Sequence, residues 1–217
     1  MDSIWLWPLG LVALLLAWPA LRPLATRLFA NRARPALEEQ PDRIYLARVA
    51  EARWRTGEAR ELAEKQLAAA GFVEAGVYLV REMPGLTLGL HAHPEKQAYA
   101  ILYELPRSGF WTEFVTRYAD GTLATFTTLD ALEVDQPEGS VYASVPKLPV
   151  AELWKKMLAE RPDKPMRDCT RARAAQDFER GYADSMAHHK RHATPATEPT
   201  VEVAETRDKD KDAREAA

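Results

Sequence analysis

The sequence predicts an α+β domain, an antiparallel five- to six-stranded meander sheet flanked by N- and C-terminal helices, preceded by a transmembrane helix. Three observations carry this expectation. Apolar residues recur at helical spacing on either side of the central region, at Leu62, Ala63 and Leu67 and again at Val150, Leu153, Trp154, Met157 and Leu158. Between those stretches the apolar period shortens from 3.6 to 2, and turn residues punctuate it. Ahead of both lie 18 consecutive residues, 4–21, without a charge.

At ~1.5 Å rise per residue, residues 4–21 reach roughly 27 Å, enough for a hydrocarbon core of ~30 Å. Trp5 and Trp7 at one end and Trp18 at the other place indoles at both interfaces, where an apolar ring with one donor is well accommodated. Only the short flank 1–3 precedes the run, so the positive n-region of a cleavable signal is missing. Trp18 and Pro19 also make a poor small-residue cleavage site. The expectation is an uncleaved signal anchor in contact with membrane lipid. Arg22, Arg27, Arg32 and Arg34 all follow the span, which puts the N-terminus outside and the main domain in the cytoplasm. The single cysteine, Cys169, is compatible with that side.

Residues 22–41 read as a basic juxtamembrane segment and linker, with Pro35 and Pro41, and the α+β domain takes 42–192. Asp42 is an N-cap for a helix over 43–70, where Tyr45, Leu46, Val49 and Ala50 keep helical spacing, Thr56-Gly57 marks a kink, and Gly71 ends the run. Strands are expected over 76–83, 86–91, 98–105, 110–118 and 123–129. Pro84-Gly85, Pro94-Glu95-Lys96, the stretch 106–109 and Asp120-Gly121 join them, and such short connections link antiparallel neighbours. Residues 141–145 offer a sixth strand. A helix over 150–161 stops at Pro162, and a last helix covers 166–190 with Ala175, Phe178, Tyr182 and Met186 on one stripe. The tail 193–217 has no aromatic and no leucine, alternates charges from Arg207 to Asp212, and is expected to be disordered.

Averages hide this division. The chain is 47% hydrophobic and 28% charged with net charge −3, values that exclude a wholly disordered chain and a dedicated nucleic-acid binder. Residues 1–34 carry four basic groups against one acidic, however, and the tail carries four against seven. One cysteine excludes a disulfide scaffold.

The chemistry is less legible. No phosphate loop, dinucleotide fingerprint, nucleophile elbow or zinc-protease motif occurs. Tyr99 and Tyr103 on one strand and Trp111 and Phe114 on the next make central strands apolar on both sides, so either helices seal both faces or one face keeps a cavity for an apolar ligand. His91 and His93, two apart on a strand, share a face and point to a metal site with Glu95 or Glu104 as further ligands. Cys169, between Arg167 and Arg171 near the start of the last helix, has the surroundings that lower a thiol pKa. The expected function is a single-pass membrane protein whose cytoplasmic domain is a binding or interaction module for a protein partner or a small apolar ligand, with no cofactor and no nucleic acid. The alternative is a membrane-tethered enzyme or metal protein using His91, His93 and a nearby carboxylate.

Overall fold

Backbone pairing, not helical periodicity, decides the start of the domain. In a computed structural model that describes residues 40–192 apart from 53, 107 and 131–135, the first element is a strand, β1 (Leu46–Val49). It pairs antiparallel with β2 (Val73–Val80), Leu46 opposite Val80 and Val49 opposite Val77. The helix expected over 43–70 is therefore corrected to a strand followed by α1 (Gly57–Ala69). The apolar spacing at 45–50 suits a helix equally well, but a free ladder edge on β2 outweighs so weak a local preference. Two carboxylates satisfy amides at this strand's start, Glu82 accepting from Tyr45 N at 2.8 Å and Glu179 from Leu46 N at 2.7 Å. That limits the edge's ability to pair with another chain.

Gly71 does end α1, in the left-handed conformation at φ +93°, and a Cβ there would lie 3.1 Å from the His93 ring. The strands β3 (Thr87–His93), β4 (Ala98–Leu105), β5 (Gly109–Arg117) and β6 (Leu123–Thr127) follow the expected order, with β1 to β6 all antiparallel. The meander then breaks. The last strand, β7 (Val141–Ser144), lies parallel to β6, so the sheet has seven strands and the connection between these two is a crossover. A parallel neighbour demands a long connection of this kind.

After β7 come α2 (Val150–Glu160) and α3 (Ala174–His192). The expected start of the last helix at 166 moves to Ala174. Met166 is held instead in a bridge with Tyr118, while Arg167 N donates to Arg117 O at 2.7 Å and Ala119 N to Pro165 O at 2.9 Å. Extended backbone that finds β partners has no reason to coil.

The sheet divides two cores. On one face α1 and α2 pack over Ala98, Ala100, Leu102, Phe114, Tyr118 and Phe126, with Leu67, Phe72, Leu153, Trp154 and Met157 between them. On the other face α3 covers Tyr78, Leu88, Leu90, Tyr99 and Ile101. The membrane span expected over 4–21, with Trp5, Trp7, Trp18 and the arginines that follow, and the tail 193–217 lie outside the described residues. Among the described residues, no helix is long and apolar enough to cross a membrane.

Candidate ligand cavity

One helix does not seal a seven-stranded face. Beneath α3 a cavity of about 280 Å³ remains, floored by β4, β5, β6 and β7 and roofed by the helix. Strand alternation determines what faces it. Tyr99, Ile101 and Tyr103 come from β4, Glu113, Val115 and Arg117 from β5, Leu123 and Thr125 from β6, and Tyr142 from β7. The helix brings Asp177, Phe178 and Tyr182, while its small residues Ala174 and Gly181 leave the space open.

Most polar groups around this space already have partners. The Tyr99 hydroxyl donates to Asp177 Oδ2 at 2.7 Å and fastens α3 to the sheet. Arg117 Nη1 donates to the Asp177 carbonyl at 2.6 Å, and Nη2 lies 3.7 Å from Asp184. Glu113 differs. It accepts a hydrogen bond from the Tyr103 hydroxyl at 3.2 Å, and no cation pairs with it among the described residues. Burial pushes its carboxyl up to about 7, against the lowering effect of the Tyr103 hydrogen bond. Glu113 keeps partial exposure as it lines the cavity, yet protein surrounds its carboxyl, which is why desolvation dominates. Burial likewise raises Tyr103 well above an ordinary phenol and, with Glu113 as a second cause, Tyr142 to about 12. The Tyr182 hydroxyl is buried with no partner among the described residues.

Aromatic rings complete the wall. Tyr103 and Trp111 are stacked, centroids 4.8 Å apart and planes 6° from parallel, and Phe178 approaches Tyr103 at 6.1 Å. Of the aromatic residues singled out from sequence, Tyr99 and Tyr103 line the cavity, and Trp111 backs it through Tyr103. Phe114 does not take part. It belongs to the other face, fully buried between Phe72 at 5.5 Å and Trp154 at 5.2 Å, because alternation along β5 separates even positions from odd ones.

The residues proposed for a metal site do not converge. His91 and His93 do share a face, but the buried one under α1 and α2. His93 is packed against Phe72 and Trp154, centroids at 5.1 and 5.7 Å. His91 is buried with Nδ1 unpartnered, and desolvation lowers its pKa although Glu64 and Glu74 pull it up. Glu95 is exposed on the turn after β3. Glu104 is committed elsewhere, accepting from the amides of Arg55 and Thr56 at 2.8–3.0 Å and from the Thr56 hydroxyl at 2.9 Å. Among the described residues, no group of three His, Cys, Asp or Glu side chains is placed to hold a metal ion. Cys169 is equally inert. It precedes α3 by several residues, its thiol donates to Ala98 O at 3.0 Å, and burial raises it to about 11.

Glu113, Arg117, Tyr142 and Asp177 were not among the residues expected from sequence. Glu113 had a visible signal, as a lone acid between Trp111 and Val115 on an otherwise apolar stripe. Tyr142 and Asp177 join the site only through the parallel strand and the docking of α3, which no local pattern encodes. No protein-family model, no curated protein and no solved structure matches the chain.

Proposed function

We propose that this protein is a membrane-tethered binding module whose cytoplasmic α+β domain holds a small, largely apolar ligand beneath α3. The cavity carries this reading. It is walled by aliphatic and aromatic side chains with a few placed polar groups, the usual composition of small-molecule sites. The tether rests on the 18-residue uncharged run, its terminal tryptophans and the four arginines behind it. An anchor of this kind concentrates the domain near membrane-bound partners.

The test uses the full chain in uncharged detergent with the neutral dye N-phenyl-1-naphthylamine. Saturable fluorescence above the detergent blank is expected, and Val115→Trp, which fills the cavity, should abolish it. Equal signals from both proteins would overturn the cavity reading. The tether is checked separately by a reporter fused after Ala217, expected to be active only in the cytoplasm. Activity on the opposite side would reverse the topology.

A further inference from the structure

We infer that the ligand of this cavity is a small organic cation, an ammonium group on an apolar body, bound with its charge at Glu113. The inference rests on the cavity being a binding site and adds the chemical class of what enters it. Four observations meet on it.

Glu113 is an acid facing the cavity without a counter-ion among the described residues, and the hydrogen bond it accepts comes from a neutral hydroxyl, that of Tyr103. A cation at that point would replace the solvation the carboxylate has lost. The rings around it present the right electrostatics. Tyr103, stacked on Trp111, and Phe178 and Tyr142 surround the same space, and the face of an aromatic ring attracts a cation within about 6 Å. The cavity's own guanidinium is not available to Glu113, because Arg117 is turned to the Asp177 carbonyl and Asp184 on α3. Part of the wall, Leu90, Ile101, Val115 and Leu123, is aliphatic and accepts an apolar body. A bare metal ion does not fit, since a hard cation wants several oxygen ligands and no such cluster exists among the described residues.

The charge state gives the test its signature. Tyr99 and Tyr103 face the cavity from β4, Tyr142 from β7, and Arg117 from Glu113's own strand; β6 contributes no titratable group. From α3 come Asp177, Tyr182 and His189, the last 3.1 Å from the Ser185 hydroxyl. Burial raises the Glu113 carboxyl to about 7. An ammonium at that point favours the carboxylate, so binding near neutrality is expected to release protons.

Calorimetry on the full chain in uncharged detergent, with cyclohexylammonium and its neutral counterpart cyclohexanol, decides the matter. Near pH 8 the ammonium is expected to bind at least about tenfold more tightly than the alcohol. Its affinity should fall by up to about tenfold per pH unit on the acid side of 7, while that of the alcohol stays flat. In Glu113→Gln the preference and the pH dependence should both vanish. Equal binding of the two probes, or preference for the alcohol, overturns the cation class and leaves the cavity reading standing. A pH dependence that survives in Glu113→Gln belongs to another group and also overturns it. If neither probe binds, the inference fails; if the naphthylamine dye fails too, the cavity reading falls with it. Should Glu113→Gln not fold, the ammonium-to-alcohol ratio of the unaltered chain and its pH profile still decide.

Discussion

The two faces of the sheet share the same central strands yet differ in what covers them. Under α1 and α2, Phe72, Phe114 and Trp154 fill the space between two helices, and the polar side chain Glu104 has four hydrogen bonds. Under α3, a single helix with Ala174 and Gly181 at its inner side leaves a cavity and, among the described residues, an acid without a counter-ion and an unpartnered tyrosine hydroxyl. Residue size and helix number, not strand sequence, separate the packed centre under α1 and α2 from the centre under α3 that keeps room for a ligand, although a second pocket of about 750 Å³ opens at the margin of the first face, between α1 and the start of α2. Buried polar groups on the α1/α2 face are largely satisfied by the protein itself, with His91 Nδ1 and Trp54 Nε1 as the exceptions among the described residues.

The largest expected contrast comes from adjacent residues of β5. Phe114→Ala should cost about 3–5 kcal/mol, while Val115→Ala, bordering open space, should cost no more than about 1 kcal/mol. Urea unfolding of both variants measures this, and similar losses would erase the distinction between the faces. A middling contrast follows from the polar groups. Glu104→Leu strands the amides of Arg55 and Thr56 and should cost about 1–3 kcal/mol, whereas Tyr103→Phe should cost under about 1 kcal/mol because Glu113 still faces the cavity.

The smallest effect is one of sign. Desolvation lowers the pKa of buried His91, so the unfolded chain binds its proton more readily and stability falls as pH drops through 6.5. Glu113 behaves oppositely. Its native carboxyl keeps a proton that the unfolded chain has released, so stability falls as pH rises from 4.5 through about 7. Denaturation midpoints across pH should show His91→Leu relieving the acid loss and Glu113→Gln the alkaline one. The two effects run in opposite directions on the pH axis, so each variant removes one limb only. Loss of either limb in the wrong variant would reassign the two groups.

Short apolar runs between turn residues made β3 to β6 legible, although β3 is buried throughout and β4 on both faces, and only β5 alternates clearly in burial. Period-2 spacing also placed Tyr99 and Tyr103 together. What local pattern could not give is long-range. The edge position of β1 depends on β2, the parallel setting of β7 depends on a crossover, and Asp177 reaches Tyr99 across 78 residues of chain. His91 and His93 looked ligand-like because spacing shows a shared face but not which helices lie on it.

The start of the described domain is fastened to α3, its last helix. The Glu179 carboxylate on α3 holds the amide of Leu46, and near the other end of that helix Lys190 Nζ donates to Gln40 O at 3.1 Å and pairs with Asp42. The chain therefore comes into the domain and goes out of it at one corner, beside the helix that roofs the cavity. A pull applied at residue 40 and one applied at residue 192 would therefore act close to the same ion pair, and neither would be carried across the sheet.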